Sequence, residues 1–450
     1  MPMLPDLADR LNALITGFGI PGATVAIRHG DDYAEAAAGV VNRNTGVTTT
    51  PDSVFQIGSI TKLFTTVLIL QLVDEGLVEL DAPVRAYLPG FAVADPIASA
   101  TVTVRHLLSH TGGFDGDLLE DFGRGDDALG RFIAFMASAT QFSVPGEMFS
   151  YCNSGFCALG AIVDRLRSST WEGTMRERLI APLGLTRMSL FPEEAILFRA
   201  SAGHLRRPGA EADTVAPVWS MPRSNAPAGS TPTASARDLV RFAGMLMAGG
   251  VGDNGTRVLS ADAVAAMLTP QTTVPSVRPE RRGLGTMLFD WNGTGVYGHD
   301  GSTVGHQSSL RIVPDHDLAI AVLANGSKSS QLFDALIPAV VEELTGVVRP
   351  ARPVPPATPS RVDVTPYTGR FAGPLLSYVV TAAGDGIDVT TVPTEIAIGL
   401  GETETTEHWV HRAGDAFIRS EPDAGLYATL TFVDDRKFLF IELRAIPRVG

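Results

Sequence analysis

The chain has 450 residues, of which 45% are hydrophobic and 19% charged, so it is long enough for two domains and has the composition of a globular protein. Its net charge of −14 argues against nucleic acid as a partner, because a field of that sign repels polyanions. The longest apolar stretch, residues 63–73, is much shorter than the roughly 20 residues that cross a bilayer, and no basic run favours a membrane surface.

The N-terminus and the cysteines bear on the cellular compartment. Residues 1–15 include Asp6 and Asp9 and lack a positive segment followed by an apolar one, which is not typical of a secretory signal. The two cysteines, Cys152 and Cys157, match no metal or redox spacing. We therefore predict that both are small buried hydrophobic residues, that the protein is cytoplasmic, and that it uses no metal or cofactor.

The predicted elements of the N-terminal part begin with an amphipathic helix over residues 6–15. Two strands, 23–28 and 33–41, follow around a turn, and helical patterns then dominate residues 60–250. Strand patterns return before a last helix, with strands expected at 283–289, 306–313 and 318–324 and the helix at 330–344. Strands at both ends with helices between them indicate one mixed sheet with a helical insertion.

A proline-rich segment divides this part from the C-terminal tail. Residues 350–359 contain five prolines and cannot form the interior of a helix or sheet. We predict a large N-terminal domain over residues 1–347, a linker over 348–361 and a second domain over 362–450. The tail is rich in short β patterns separated by turns, which favours a small barrel or sandwich. Six strands are expected there: 377–381, 386–391, 408–412, 416–419, 428–433 and 438–444.

The first candidate site residues are Ser59 and Lys62, which stand directly before the apolar run. Their spacing places both side chains on one face of the predicted helix, and free backbone N–H groups of its first turn favour negative charge at Ser59. A desolvated lysine has a lowered pKa and can act as a base. Ser59 could instead be a simple helix cap, but the chain has only three lysines, and a lysine on a buried helix is costly without a role. The pattern therefore indicates a serine nucleophile.

Two further segments are less specific when each is considered alone. Tyr151 and Asn153 are two residues apart after a Pro-Gly turn, and a phenol and an amide can move a proton and hold a lysine. His299 and Gly301 lie in a glycine-rich stretch that is typical of a strand edge near a ligand. Either segment could also be an ordinary turn, or a hairpin with an exposed histidine.

Together and in this order, the three segments resemble the motifs of the serine penicillin-recognising superfamily, which includes class C β-lactamases, DD-peptidases, D-aminopeptidases and related esterases. Supporting stretches resemble the same family. The motifs are S-x-x-K at 59–62, Y-x-N at 151–153 and H-x-G at 299–301, with L-L-S-H-T-G-G at 107–113, P-L-G-L at 182–185 and P-A-G-S at 227–230. The resemblance covers residues 15–345. It implies an α+β fold, with a mixed antiparallel sheet flanked by helices and an all-helical subdomain.

The resemblance also implies roles for the matching residues. Ser59 attacks the acyl group, Lys62 and Tyr151 move its proton, and Asn153 orients Lys62 and the substrate. Which of Lys62 and Tyr151 is the immediate base stays open, because the two titrate as a coupled pair.

The third motif and the P-A-G-S stretch supply the rest of the implied site. The backbone N–H of Ser302, just after Gly301, forms an oxyanion hole with that of Ser59, and Gly229 lies beside the substrate. His299 stands where β-lactamases have lysine. A histidine carries less positive charge for gripping a β-lactam carboxylate, so we rank β-lactam hydrolysis low.

The C-terminal tail resembles the small lipocalin-like β-domain of some family members, which can roof the active site. Arg444 or Arg448 could then reach the cleft and hold a carboxylate, or both could be surface residues. An acidic loop, residues 115–127, is either a solvated surface or a cleft rim that recognises an amine. A His106–His110 pair lacks the glutamate of a zinc motif, so we do not expect metal binding.

The resemblance is greatest to stand-alone penicillin-binding-protein-type thioesterases, which cyclise nonribosomal peptides head to tail, often at a D-residue. We therefore expect a peptide or ester substrate, for which a peptidyl carrier protein is one candidate donor. The first alternative is a cytoplasmic serine hydrolase, such as a D-aminopeptidase, D-amino-acid amidase or esterase. The second is a non-catalytic sensor or binding protein on the same fold. The sequence leaves the oligomeric state open.

Overall fold

The structure, a computed structural model, describes residues 3–207, 210–277, 280–399, 402–423 and 425–449. The helices are α1 (Leu7–Phe18), α2 (Thr61–Asp74), α3 (Val84–Tyr87), α4 (Pro96–Thr101), α5 (Val104–Leu108), α6 (Ala128–Phe135), α7 (Asn153–Arg167), α8 (Trp171–Met175), α9 (Ala181–Leu183), α10 (Pro192–Ala195), α11 (Ala236–Met247), α12 (Ala261–Leu268), α13 (Ser329–Thr345) and α14 (Glu395–Gly399). No helix in these ranges is long and apolar enough to span a membrane.

The strands of the N-terminal part are β1 (Gly22–His29), β2 (Asp32–Asn42), β3 (Val47–Thr48), β4 (Phe55–Gln56), β5 (His204–Leu205), β6 (Thr214–Val215), β7 (Thr233–Ala234), β8 (Thr272–Thr273), β9 (Arg281–Arg282), β10 (Met287–Trp291), β11 (Thr294–Ser302), β12 (Gln307–Val313) and β13 (Leu318–Ala324). Within the described residues, nine of them form one antiparallel sheet in the order β3-β2-β1-β13-β12-β11-β10-β9-β8. The N- and C-terminal segments of the domain thus meet at β1 and β13, as the sequence predicted.

The predicted strand at 283–289 begins later than expected, at Met287. The chain turns first, because Gly283 donates its backbone N–H to Thr286 O and Gly285 has a φ of +63°. Two apolar layers cover the sheet. Helices α1 and α13 pack on one face around Leu11 and Val340, while the buried helix α2 and helix α11 lie on the other.

The tail forms an antiparallel barrel. In the described part of the tail, eight strands close on themselves in chain order: β14 (Gly369–Ala372), β15 (Leu376–Ala383), β16 (Gly386–Pro393), β17 (Thr405–Ala413), β18 (Ala416–Arg419), β19 (Thr429–Val433), β20 (Phe438–Ile441) and β21 (Arg444–Val449). The prediction of one strand over 438–444 was wrong. Glu442 and Leu443 have φ values of +49° and +67° and form a tight hairpin turn there, although neither is glycine.

This hairpin docks the barrel on the N-terminal domain. Tyr151 donates its backbone N–H to Leu443 O at 2.9 Å, and Ala445 N donates to Ser150 Oγ at 3.2 Å. The rings of Phe149 and Phe440 pack beside these bonds, with centroids 6.1 Å apart. The barrel therefore contacts the segment that carries the second sequence motif.

Candidate active site

Ser59 lies in a 3-10 turn, Gly58–Ile60, that leads directly into α2. Two glycines make this turn possible. Gly58 has a φ of +50°, and a Cβ on it would lie 2.5 Å from Ser302 N of β11. Gly229 has a φ of +116°, and a Cβ there would lie 2.1 Å from Gly58 O. The backbone around Ser59 thus packs between β11 and the P-A-G-S stretch, and neither Gly58 nor Gly229 could carry a side chain without a clash.

Lys62 occupies the first turn of α2 and is fully buried. Its Nζ donates hydrogen bonds to Ser59 Oγ at 2.9 Å, to Asn153 Oδ1 at 2.7 Å and to Ala228 O at 2.7 Å. Burial lowers the pKa of Lys62 to about 7. A substantial neutral fraction therefore exists at neutral pH, and neutral Nζ can accept the proton of Ser59.

Tyr151 covers the other side of Lys62, whose Nζ lies 4.8 Å from the centre of the Tyr151 ring. The ring also stacks on His110 at 4.4 Å between centroids. Burial raises the pKa of Tyr151. Among the described residues its hydroxyl has no hydrogen bond of normal geometry, although Ser59 lies near enough to oppose part of that rise. The hydroxyl is therefore available to a substrate or leaving group.

Asn153 begins α7 and links Lys62 to a second buried charge. Its Nδ2 donates to Asp117 Oδ1 at 2.8 Å, which fixes the amide so that Oδ1 faces Lys62. Sequence reasoning placed Asp117 in the acidic loop, either solvated or on the cleft rim, but only 8% of it is exposed. The site thus contains a carboxylate whose contact with Asn153 the sequence did not predict.

Arg444 reaches this carboxylate from the barrel. Its Nε and Nη2 donate to the two oxygens of Asp117 at 2.5 and 2.9 Å, and its guanidinium lies 5.3 Å from the Tyr151 ring centre. The ion pair lowers the pKa of Asp117 against the opposing effect of burial. Arg448 lies elsewhere: it donates to Arg436 O, Thr368 O and Pro366 O on the barrel. Of the two candidate arginines, only Arg444 enters the cleft.

The third motif lies on β11, opposite Ser59. Only 4% of His299 is exposed, so the alternative of an exposed hairpin histidine is wrong. Burial lowers the pKa of His299 to about 3, and the imidazole is therefore neutral at neutral pH. A Cβ on Gly301 would lie 2.0 Å from Ile57 O, so this strand touches the turn that holds the nucleophile. That contact brings the backbone of Ser302 beside Gly58.

These residues line a cavity of about 890 Å³ between the two domains. One wall belongs to the N-terminal domain and the other to the barrel, and an arm extends to α13 and the residues after it. The wall of the N-terminal domain includes Ser59, Tyr151, Asn153 and His299, and the wall of the barrel includes Tyr378, Glu442 and Arg444. The arm is lined by Trp291, Phe333 and Arg349.

The other sequence candidates have structural roles. His106 takes part in the capping box of α5 with Thr103, and His110 accepts the backbone N–H of Cys152 through Nδ1. Both cysteines are buried and free. Over the ranges that the structure describes, no group of histidine, cysteine and acidic side chains has the arrangement of a metal site.

Residues 7–345 match the family model described as Beta-lactamase. The chain belongs to the beta-lactamase family. It is 44% identical over 368 residues to penicillin-binding protein 4 of Amycolatopsis lactamdurans, a match that covers 81% of this chain and 96% of the relative. It is also 30% identical over 181 residues to esterase EstB of Burkholderia gladioli, which covers 37% of this chain and 46% of the esterase.

Solved structures extend the similarity to the barrel. SurE superposes with a TM-score of 0.76 at 29% identity, and its structure with D-Leu with a TM-score of 0.73 at 28% identity; each match covers 98% of both chains. D-amino acid amidase from Ochrobactrum anthropi SV3 shares the fold, with a TM-score of 0.62 at 21% identity over 75% of this chain and 99% of the amidase. This beta-lactamase-family protein is a serine hydrolase or acyl transferase with a C-terminal lipocalin-like barrel.

Proposed function

We propose that this enzyme forms an ester between Ser59 and the C-terminal carbonyl of a peptidyl thioester, and passes the peptide to its own amino terminus. The product is a head-to-tail macrolactam. The observation that carries the proposal is that Glu442, Leu443 and Arg444 of the barrel hairpin line the same cavity as Ser59, with Arg444 beside Tyr151. The match to SurE over 98% of both chains, in a structure that contains D-Leu, supports a D-residue at the acyl position.

The proposed acylation uses the contacts around Lys62. Neutral Nζ accepts the proton as Ser59 Oγ bonds to the acyl carbon, and the leaving thiol takes a proton from Lys62 or Tyr151. The backbone N–H groups of Ser59 and Ser302 stabilise the negative oxygen. Asn153 holds Lys62 in position throughout, because its amide is fixed by Asp117.

The neutral His299 favours an acyl donor that has no free carboxylate for the enzyme to bind. A thioester carbonyl at the C-terminus of a peptide has no free carboxylate, whereas a β-lactam antibiotic carries one beside its reactive ring. Because burial lowers the pKa of His299 to about 3, its imidazole is neutral at pH 7 and supplies no cation at this position. The proposed donor is therefore a peptidyl thioester, with a peptidyl carrier protein as its source.

The size and cover of the cavity support an amine as acceptor. About 890 Å³ is near the upper end of the usual range for ligand pockets, enough for several peptide residues folded back on themselves. Holding both ends of one chain in one cavity makes the amine attack intramolecular, which raises its effective concentration far above that of a free amine. Hydrolysis of the same acyl-enzyme is the second candidate, and the local similarity to esterase EstB favours it.

The test is product analysis with a synthetic peptidyl thioester whose last residue is D. We expect cyclic peptide as the main product, and a substrate that differs only by an L-residue at that position to react at least tenfold more slowly. Free acid as the only product from both substrates would contradict the cyclase and favour the hydrolase. Ser59→Ala serves as the control for background cyclisation of the thioester.

A further inference from the structure

The barrel wall of the cavity carries two carboxylates that the proposed chemistry does not use. Glu442 stands at the tip of the β20–β21 hairpin, and Glu402 follows α14; both line the cavity. Both residues are exposed, and neither side chain has a hydrogen bond or ion pair among the described residues. They therefore differ from Asp117, whose charge is matched by Arg444.

Arg444 lies two residues after Glu442, but its guanidinium binds other groups. Nε and Nη2 of Arg444 bind Asp117, and Nη1 donates to the backbone oxygen of Glu442 and not to its carboxylate. Desolvation raises the pKa of the Glu442 carboxyl, although its residue is exposed; the field of Arg444 opposes this rise, and those of Glu402 and Glu407 add to it. A carboxylate in this position is stabilised by a mobile cation that enters the cavity.

Tyr378 provides an independent indication of a ligand. It lines the cavity, and only 3% of it is exposed, yet among the described residues its hydroxyl has no hydrogen-bond partner. Glu402, Glu442 and Arg444 all act electrostatically on it, so it belongs to the same region of the wall. A nearly buried hydroxyl that faces a cavity without a partner is a group that a ligand can satisfy.

The neighbouring surface defines the chemical class of that ligand. Leu375, Leu376 and Ile446 of the barrel also line the cavity and offer apolar contacts. Two carboxylates, one hydroxyl and an apolar border suit a primary ammonium group on a peptide chain. We propose that Glu402, Glu442 and Tyr378 form a subsite for the positively charged amino terminus of the peptide whose carbonyl is on Ser59. The inference rests on the proposed function and assigns it an acceptor subsite.

Transfer of the acyl group from Ser59 to the bound amine forms one C–N bond and breaks one C–O bond. The bound ammonium gives one proton to solvent or to a carboxylate, and the neutral nitrogen attacks the acyl carbon. The new C–N bond forms, the C–O bond to Ser59 breaks, and the second proton passes from nitrogen to Ser59 Oγ through Lys62 or Tyr151. The subsite binds and orients; it does not enter the covalent step.

The test compares two peptidyl thioesters, one with a free amino terminus and one N-acetylated, on the wild type and the Glu402→Gln/Glu442→Gln variant. For wild type we expect kcat/KM for acylation of Ser59 to favour the free-amine substrate about tenfold. In the variant this preference is expected to disappear, while the acetylated substrate reacts at an unchanged rate. Glu421→Gln, an exposed barrel glutamate outside the cavity, is the matched control.

The two readouts separate the subsite from the proposed function. A preference for the free amine that survives in the double variant, or is absent in wild type, overturns the subsite. The absence of cyclic product from wild type overturns the cyclase instead, whatever the preference in acylation. A loss of reaction with the acetylated substrate as well shows that the carboxylates are needed for the cleft itself, which also overturns the subsite.

Discussion

Replacing Lys62 with methionine is expected to slow formation of the acyl-enzyme by about 10³-fold, because the base that takes the proton of Ser59 is removed. Methionine has a similar length and no charge, so the buried site keeps its volume and the helix α2 is expected to stay folded. The measurement is the pre-steady-state burst of thiol release from a peptidyl thioester. Circular dichroism and thermal unfolding of the same variant check the fold.

The chain offers a matched control in Lys437→Met, since that lysine is exposed and its one ion pair among the described residues is with Asp434. Its burst is expected to equal that of wild type. The pH profile adds a second readout. The base form of Lys62 is needed, so the wild-type acylation rate rises with pH through about 7 and then levels. A Lys62→Met enzyme that keeps the wild-type rate, or the same rise near pH 7, would contradict the assignment of Lys62 as base.

Replacing Arg444 with methionine is expected to be the second most damaging change, because it leaves the carboxylate of Asp117 in the cleft without its ion-pair partner. Breaking a buried pair costs roughly 3–5 kcal/mol, and partial exposure of Arg444 reduces this to about 2 kcal/mol. Asp117 raises the pKa of Lys62 and Arg444 lowers it. Without Arg444 the rise in acylation rate is therefore expected to move to higher pH, with at least a tenfold loss at pH 7.

Two variants test the cause of that effect. Arg444→Met/Asp117→Asn removes both charges and is expected to recover part of the lost stability and to bring the pH profile back toward that of wild type. Arg448→Met removes an arginine of the same strand whose hydrogen bonds, within the described ranges, all go to residues of the tail, and its pH profile is expected to match wild type. An unshifted profile for Arg444→Met would mean that the barrel does not influence Lys62.

The sequence predicted those parts of the site that follow from residue spacing within one segment or from the three motifs. Ser59 and Lys62 are three residues apart in a 3-10 turn that continues into α2, so their contact follows from local helical geometry alone. The closeness of Asn153 and His299 to them came from the resemblance, because no local rule relates residues so distant in the chain. In the structure Asn153 Oδ1 accepts a hydrogen bond from Lys62 Nζ, and His299 lines the same cavity as Ser59.

Long-range contacts set the limit of the sequence prediction. The Asp117–Arg444 pair joins residues 327 positions apart on different domains, and nothing in the acidic loop marks one carboxylate as buried. The hairpin that delivers Arg444 was also missed, because Glu442 and Leu443 take left-handed backbone angles without a glycine to signal the turn. The position of the barrel depends on side-chain packing such as that of Phe149 on Phe440, which no sequence pattern specifies.

The central claim is that Ser59 carries the peptide as a covalent ester in this roofed cleft. Intact-protein mass spectrometry after brief mixing with a peptidyl thioester tests it most directly. We predict a mass increase equal to the acyl group, located by digestion to the peptide that contains Ser59, and no increase for Ser59→Ala. An adduct of the same size on Ser59→Ala, or turnover of the thioester by that variant at the wild-type rate, would contradict the account.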